Sequence, residues 1–250
     1  MTKTKPSPPA VVAEPGQSRY AALAQSLRAR VVSGEWAPGM ALPSEQLLAQ
    51  QHGVALGTLR QALALLSEQG LVERVHGKGT FVRGTLSGAS LLRFFRFGRG
   101  TGEVPQSRIL RRQRLALPAD VARAMGLAPG EGGLRLQRLR DLEDRPCLLE
   151  DIWLPLAAFE ALADKADDPA GWPPLLYPLY AERCGVHVNR AVDHIAFGVL
   201  SAGQAELLAL PPSHPCVIAT RCAYDLAGRC VEYRETRGDA YAFQYTVNIT

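Results

Sequence analysis

The chain has 250 residues, 47% of them hydrophobic, which is enough to bury the cores of one or two domains. The net charge of +4 is unevenly distributed, because residues 1–114 carry 16 Lys and Arg against 6 Asp and Glu, while residues 115–250 carry 12 against 18. A basic first half favours a polyanionic partner, and the lack of any run of about 18–20 apolar residues excludes a membrane-spanning helix.

The N-terminal segment and the cysteines indicate the compartment. Residues 1–17 are rich in proline and lack the apolar stretch of a signal peptide, so we predict a disordered tail on a cytoplasmic protein. Five scattered cysteines without a C-x-x-C pair fit reduced thiols there. Cys184, His187 and His194 have the spacing of half a metal site, but a buried thiol among ordinary histidines is the simpler interpretation. We therefore predict neither a metal nor a cofactor.

Three helices and a hairpin are predicted between residues 18 and 84. Apolar residues at helical spacing predict helices over 20–33, 45–52 and 55–69. Ser44 is a suitable N-cap for the second helix, and Glu45 lies in its first turn, where the helix dipole favours a negative charge. The short turn Gly53-Val54-Ala55 joins the second helix to the third. This arrangement is typical of a helix-turn-helix whose third helix enters the major groove of DNA.

The hairpin follows directly, in residues 71–84, L-V-E-R-V-H-G-K-G-T-F-V-R-G. Two short β-type runs flank His76-Gly77-Lys78-Gly79, and glycines are suited to such a tight turn. A nucleotide phosphate loop is excluded because Val72 stands where that pattern needs glycine. Cations and exposed glycine amides at a hairpin tip suit contacts with DNA phosphates or the minor groove, so we predict a winged helix-turn-helix.

Four motifs identify this first domain. L-P-S-E, T-L-R-Q-A-L, E-Q-G-L and G-K-G-T-F-V occur in order, and residues 18–83 resemble the DNA-binding domain of GntR-family bacterial transcription regulators. In that family the third helix reads bases and the wing tip contacts DNA. The resemblance implies the following DNA-binding residues: Ser44, Glu45, Gln46, Gly57, Thr58, Arg60, His76, Gly77 and Lys78.

Two positions depart from the family pattern. Gln46 stands where many members have arginine, and Ala55-Leu56 replaces a Ser-Arg pair. The serine would be an N-cap, and each arginine would be a candidate for a bidentate contact with guanine. The family's usual operator is therefore not implied here, and Gln46 is a candidate for reading adenine.

After a linker at 85–103, residues 104–250 alternate strand and helix patterns joined by short turns. Strands are predicted over 107–117, 133–141, 147–154, 191–200, 216–225 and 229–237. Helices are predicted over 118–125, 174–184 and 202–208. Short connections favour antiparallel pairing, so we predict an α+β domain with a mostly antiparallel sheet.

This second domain resembles the UTRA effector-binding domain of HutC-type GntR regulators. The resemblance is carried by L-x-R-L-R-D-L-E-D-R-P-x-x-L-E, W-L-P and Y-D-L-A-G-R-C-V-E-Y-R-E-T-R-G-D, and it implies a chorismate-lyase-like fold. In relatives an arginine pair binds an anionic group and a glutamate pair binds hydroxyl or amino groups. The corresponding residues here are Arg138, Arg140, Glu150 and Glu232.

The arginine pair also has a meaning independent of the resemblance. Arg138 and Arg140 lie two apart on one predicted strand, so they share a face, and their planar donors suit a carboxylate or a phosphate. Surface ion pairs with Glu150 or Asp151 are the alternative interpretation.

The run Leu91-Leu92-Arg93-Phe94-Phe95-Arg96-Phe97 has two interpretations. It is either a stacking patch for nucleic acid or a segment beside the ligand cavity, and we favour the second. Relatives that bind sugar phosphates have a serine before a phenylalanine here, and Arg93 and Phe94 stand in their place. We therefore include both as effector-binding residues.

These patterns predict a transcription regulator, most simply a repressor, which binds a pseudo-palindromic operator as a homodimer. A small anionic effector, either a carboxylic acid or a sugar phosphate, is expected to control operator binding. A chorismate-lyase-like enzyme domain fused to a DNA-binding domain is the alternative. We expect no enzyme, because the sequence contains no Ser-His-Asp constellation.

Overall fold

The computed structural model describes residues 18–83, 105–164 and 168–243, which fall into two compact units divided at residue 84. The predicted tail at 1–17, the linker at 85–103, Arg93 and Phe94 lie outside the described residues. In the part of the chain that is described, no helix is both long and apolar enough to cross a membrane.

The first unit contains three helices: α1 (Arg19–Val32), α2 (Glu45–His52) and α3 (Leu56–Glu68). α1 and α3 present leucines at a spacing of three or four residues, and these side chains are buried together with Leu48 of α2. The fully or almost fully buried leucines of the three helices are Leu23, Leu27, Leu48, Leu59, Leu63 and Leu66. Burying a leucine stabilises a fold by about 1.5–3 kcal/mol, so this core fixes the helix-turn-helix.

The hairpin consists of β1 (Val72–Val75) and β2 (Gly79–Val82), paired antiparallel with Val75 opposite Gly79. Gly77 and Gly79 have φ of 73° and 118°, which the tight tip requires and which other residues rarely adopt. The loop before α2 adds hydrogen bonds to β2, from the Leu42 amide to the Thr80 carbonyl (2.8 Å) and from the Val82 amide to the Met40 carbonyl (2.9 Å). The wing is therefore attached through β2 to the loop that leads into α2.

The second unit is built on a six-stranded sheet with the order β3-β4-β5-β8-β7-β6, and every neighbouring pair is antiparallel. Its strands are β3 (Gln106–Ala116), β4 (Gly132–Leu142), β5 (Arg145–Pro155), β6 (Val188–Val199), β7 (Pro215–Asp225) and β8 (Cys230–Asp239). Its helices are α4 (Ala119–Met125), α5 (Leu156–Phe159), α6 (Leu176–Cys184) and α7 (Ala202–Leu207). The predicted α+β fold with an antiparallel sheet is confirmed.

Both faces of the sheet carry helices. On one face α5 and α6 pack on Leu134, Leu136 and Ile152, and on the other α4 packs near Trp153. Arg138 and Arg140 continue the face of Leu134 and Leu136 along β4, because side chains two apart on a strand point the same way. Both arginines are buried, so the alternative that placed them at the surface is wrong, although Arg138 does pair with Glu150, one of the two partners it named.

Three details differ from the sequence prediction. The helix predicted from residue 174 begins at Leu176, and the strand predicted from residue 191 begins at Val188. The helical segments at 156–162 and 169–171 were not predicted, because segments of three or four residues contain too few turns to show a helical period.

Candidate nucleic-acid interface and ligand cavity

Glu45 connects three elements of the first unit. It lies in the first turn of α2, where Ser44 caps the helix by accepting a hydrogen bond from the Leu47 amide (3.3 Å). Its carboxylate accepts from Arg60 Nε of α3 (2.8 Å) and from Arg74 Nη2 of the wing (3.3 Å). Glu45 thus links α3 and the wing to α2. This role is separate from the DNA contact that the sequence analysis predicts for Glu45.

The predicted DNA-binding residues occupy one groove and its surroundings. Ser44, Glu45, His76, Gly77 and Lys78 line a groove between the start of α2 and the wing, together with Arg74, which the sequence analysis did not select. The remaining predicted positions are on α2 and α3, where Gln46, Gly57 and Arg60 are exposed and Thr58 is half-buried.

The N-terminus of α3 shows the consequence of the departure at Ala55. Its backbone has extended dihedral angles, φ −66° and ψ 147°, as an N-cap residue does, but no side chain caps the helix. The first amides of α3 are therefore left to water or to a ligand.

In the second unit, strand pairing brings charged side chains from distant parts of the chain together on one face of the sheet. Arg138 of β4 lies opposite Glu150 of β5, which lies opposite Thr236 of β8. In the next row, Arg234 of β8 lies opposite Arg221 of β7, which lies opposite Asp193 of β6. Pairs directly opposite on one face are within contact distance.

Glu150 and Glu232 are fixed by protein donors. Arg138 Nε donates to Glu150 Oε2, and Arg234 donates both to Glu150 Oε1 (3.3 Å) and to Glu232 Oε2 (2.7 Å). The hydroxyls of Tyr177 and Tyr180 on α6 also donate to Glu232, at 3.1 and 2.7 Å. Arg234 therefore bridges two buried carboxylates.

The protonation of this network follows from its charges. Burial by itself would raise the pKa of Glu150, but Arg138 and Arg234, with a contribution from Arg140, hold that pKa well below its ordinary value. Burial and the neighbouring Glu232 raise the pKa of Tyr177 and of Tyr180 above the ordinary value. Glu150 is therefore ionised and both tyrosines are neutral donors at neutral pH.

A second ion pair lies at the β6 end of the cavity. Arg221 Nε and Nη2 donate to the two carboxylate oxygens of Asp193, each at 2.6 Å, in the bidentate arrangement that suits a guanidinium. Burial by itself would lower the pKa of Arg221. The hydrogen bond with Asp193 and the negative charge of that carboxylate outweigh burial, so the pKa is raised.

Arg140 differs from the other arginines. Its Nη2 donates to the Pro105 carbonyl (3.3 Å), its Nε has no partner among the described residues, and no described carboxylate is hydrogen-bonded to it. Burial, the largest effect, and the neighbouring Arg138 and Arg234 together lower the pKa of Arg140 to about 10, against a raising effect of Glu150. Arg140 is 5% exposed and is thus a buried cation to which no carboxylate of the described residues is hydrogen-bonded.

These groups enclose a cavity of about 40 Å³, several times the roughly 10–15 Å³ that one water molecule requires. Its walls are polar on the sheet side and apolar toward the segment before α6. The polar lining residues are Arg138, Arg140, Glu150, Asp193, Arg221, Arg234 and Thr236. The apolar ones include Pro105, Leu148, Pro174, Leu175 and Ala219. A lining that combines polar and apolar side chains is typical of small-molecule sites.

Three of the predicted effector residues, Arg138, Arg140 and Glu150, line this cavity, whereas Glu232 lies behind it and is wholly buried. The sequence analysis missed Arg221, Arg234 and Asp193. The alternation of Glu232, Arg234 and Thr236 along β8 was a signal that could have identified Arg234. The pairing of Asp193 with Arg221, 28 residues later, has no local signal.

Cys184, His187 and His194, which the sequence analysis considered as half a metal site, do not form one in the described ranges. No group of three or more His, Cys, Asp and Glu side chains there is arranged to hold a metal ion.

Comparison with known proteins identifies both units. Residues 19–82 match the family described as bacterial regulatory proteins, gntR family, and residues 100–244 match the UTRA domain. The transcriptional regulator SmoD of Agrobacterium fabrum is 33% identical over 180 residues, covering 72% of this chain and 74% of SmoD. The repressor NagR of Bacillus subtilis is 27% identical over 231 residues, covering 90% of this chain and 92% of NagR.

Solved structures agree. The ligand-binding domain of a GntR-family regulator from Bordetella bronchiseptica has a TM-score of 0.54 and 29% identity, covering 58% of this chain and 92% of that one. PhnF from Mycobacterium smegmatis has a TM-score of 0.54 and 24% identity, covering 89% and 98%, which shows a shared fold. The chain therefore belongs to the GntR family of bacterial DNA-binding transcription regulators, in the HutC/NagR subfamily, with a UTRA effector-binding domain.

Proposed function

We propose that this protein is a homodimeric repressor whose hold on a pseudo-palindromic operator is released when a small anion binds beside Arg140. Domain limits of 18–84 for DNA binding and 104–250 for effector binding are part of the proposal. The observation that carries it is the buried guanidinium of Arg140, which has no hydrogen-bonded carboxylate among the described residues. Two relatives support repression rather than activation, because they are named as repressors: NagR of Bacillus subtilis and the mannosyl-D-glycerate system repressor MngR of Escherichia coli.

The preference for an anion follows from the cost of burying charge. A neutral ligand would complete the burial of Arg140 without supplying a counter-charge, and an unpaired buried ion costs several kcal/mol. A carboxylate, sulfate or phosphate oxygen would accept from its unused Nε–H. An anionic effector is therefore expected to bind most tightly.

The wing is proposed to contact the DNA backbone through Lys78. This side chain is exposed at the hairpin tip, on the groove that Ser44 and Glu45 also line. Each phosphate neutralised by a cation releases counterions, so the logarithm of affinity falls with the logarithm of salt concentration by about 0.9 per contact.

Substituting Lys78→Ala is expected to weaken operator binding at low salt and to reduce the salt slope by about one. Binding to an operator fragment should be titrated at four or five salt concentrations. Arg123→Ala, which removes one exposed cation from α4 of the other unit, is the matched control and should leave the slope unchanged. A Lys78→Ala protein with the original slope would refute the phosphate contact.

The homodimer is proposed to form along β6, one of the two edge strands of the sheet. Phe197, Val199 and Tyr241 are 70%, 64% and 79% exposed there, and Phe243 packs edge-on against Phe197 at 6.4 Å. Aromatic side chains bury about 150–250 Å² each, so this patch supplies roughly half of the ~800 Å² per partner of a stable interface.

The other edge strand, β3, is unsuited to pairing with its own copy. It carries Arg108, Arg111, Arg112 and Arg114, and like charges directly opposite each other are destabilising. Residues 195–199 of β6, in contrast, include no charged side chain. The charges thus disfavour the pairing of β3 with its own copy. β6 is the edge strand that can pair with its own copy in a dimer.

The variant Phe197→Asp is expected to raise the dimer dissociation constant at least about a hundredfold, because it places a charge in the apolar centre of the interface. Sedimentation velocity at micromolar concentration measures the effect. Leu115→Asp makes the same change at a partly exposed residue of β3 and should remain dimeric. If Phe197→Asp stays dimeric while Leu115→Asp dissociates, the interface is on the wrong edge.

A further inference from the structure

The helix-turn-helix of this chain is poor in side chains that read guanine. From Ser44 to Glu68, a segment that covers α2, the turn and α3, the sequence contains one arginine, Arg60, and no lysine. Arginine and lysine are the side chains that most often contact guanine, through its O6 and N7 atoms in the major groove. This segment can therefore read guanine in that way through a single side chain.

Arg60 is itself partly committed to the protein. Its Nε donates to Glu45 (2.8 Å), the same carboxylate that accepts from Arg74 of the wing. One guanidinium makes a bidentate contact with one guanine. Each copy of the domain can thus use Arg60 to read at most one G·C pair, so the other base pairs must be distinguished by different chemistry.

The start of α3 presents an apolar surface. The helix that enters the major groove contacts base edges with its N-terminal residues. In α3 these are Ala55 and Gly57, which are exposed, and Leu56, which is half-buried. None of the three side chains has a hydrogen-bonding group. The apolar group that marks one base in the major groove is the C5-methyl of thymine.

Gly57 leaves open space on this surface. It is the second residue of α3, its φ lies outside the left-handed region, and an added Cβ would meet no described atom within 4 Å. Neither backbone conformation nor packing within the described residues thus requires glycine, which destabilises a helix relative to alanine. Glycine does permit close approach of the backbone to a ligand.

We infer that Leu56 reads the methyl group of a thymine in each half of the operator, and that Gly57 gives α3 the room to approach it. This inference rests on the DNA-binding role of the first unit. Gln46, exposed on α2, is the neighbouring side chain suited to adenine. The centre of each half-site is therefore composed mainly of A·T pairs, whereas a phosphate contact by Lys78 adds no sequence preference.

Replacing thymine with deoxyuridine isolates the methyl group. The full-length protein would first select its operator from a random duplex library, in which we expect A·T pairs to be enriched at the centre of each half-site. Each thymine would then be replaced in turn. One replacement per half-site is expected to weaken binding about four-fold, the factor that corresponds to burying one carbon.

Leu56→Ala should bind the thymine and deoxyuridine operators equally. Leu65→Ala, which truncates a half-buried leucine at the other end of α3, is the matched control and should retain the four-fold difference. Melting temperatures verify that both variants are folded, and the deoxyuridine series in the unsubstituted protein stands without them. A methyl effect that persisted in Leu56→Ala, or a selected half-site centred on G·C pairs, would overturn the inference while leaving DNA binding intact. If no sequence were enriched, operator binding itself would fail.

Gly57→Ala tests the close approach. This variant is expected to melt at the same or a higher temperature, because alanine is the better helix former. Its operator affinity should nevertheless fall at least about five-fold, since α3 is held away from the base edges. Gly203→Ala is the matched control, because Gly203 is also the exposed second residue of a helix with open space around it, and it should bind the operator normally. Unchanged operator affinity in Gly57→Ala would refute the close approach.

Discussion

Replacing Arg140 with glutamine is expected to lower effector affinity by between about 30-fold and several thousand-fold without destabilising the effector-binding unit. In the complex, Arg140 and the anion form a buried charge pair, and truncating one member of such a pair costs about 2–5 kcal/mol. In the free protein, the described residues give Arg140 one hydrogen bond, to the Pro105 carbonyl, and its burial is unfavourable enough to lower its pKa to about 10. Glutamine removes that buried charge, so the unliganded fold should be at least as stable.

The measurement is a calorimetric titration with an anionic ester, a sulfate or a phosphate monoester that binds the unsubstituted protein, followed by release of an operator fragment. Operator affinity without the ester should be unchanged in Arg140→Gln, and release should require far more ester. Arg108→Gln is the matched control, because Arg108 is an exposed β3 arginine paired with Asp141. Normal ester affinity in Arg140→Gln would place the anion elsewhere.

Arg138 and Arg140 are indistinguishable in the sequence, and they differ in the structure because of strand register. Arg138 lies opposite Glu150, whereas Arg140 lies opposite Leu148. A shift of two residues would place Arg140 opposite Glu150 and Arg138 opposite Ile152, with both side chains still on the same face. The sequence could place both arginines on one strand face, but it could not decide which of them would meet a carboxylate.

Two local features set that register. The turn between β4 and β5 consists of Glu143 and Asp144, both with positive φ. A register shift between Arg140 and Asp141 then moves the pairing of β4 with β5 by one residue, at a point between this turn and the cavity residues. Positive φ at glutamate is uncommon, and a β-bulge has no reliable sequence signal, so neither feature could be predicted.

The first unit was easier to predict, because its signals are local. Helix periods, the Ser44 cap and the glycines of the wing each act within a few residues, and the structure has the corresponding elements. The contacts of Glu45 with Arg60 and Arg74 were missed, since they join residues 15 and 29 positions apart. Local chemistry thus specified the elements, while contacts between elements depended on the tertiary fold.

Unlike Arg140→Gln, substituting Arg138→Ala is expected to destabilise the effector-binding unit, by about 3 kcal/mol at neutral pH. Arg138 and Glu150 are a buried pair, at 1% and 3% side-chain exposure, and removing one partner of such a pair typically costs about 3–5 kcal/mol. Arg234 remains bonded to Glu150, which favours the lower end of that range. Scanning calorimetry of the full-length protein can follow the transition that bound ester shifts, which is that of this unit.

The stability that the Arg138→Ala substitution removes should become smaller as the pH falls, because it depends on the charge of Glu150. In the unsubstituted protein the pKa of Glu150 is held below its ordinary value, so its stabilisation is present above that value and is lost as the pH falls toward the folded-state pKa. Without Arg138 the buried carboxyl protonates more readily, and its burial then costs less. The difference in melting temperature between the two proteins should therefore be smaller at pH 4 than at pH 7.

Arg135→Ala is the matched control for this experiment. Arg135 is on the same strand and pairs with Asp151 at 2.6 Å, but its side chain is 32% exposed, so its loss should cost no more than about 1 kcal/mol. If Arg138→Ala were as stable as Arg135→Ala at pH 7, the ion pair between Arg138 and Glu150 would not be stabilising the sheet. Glu150 would then be available to accept hydrogen bonds from hydroxyl or amino groups of the effector, as the family resemblance implies.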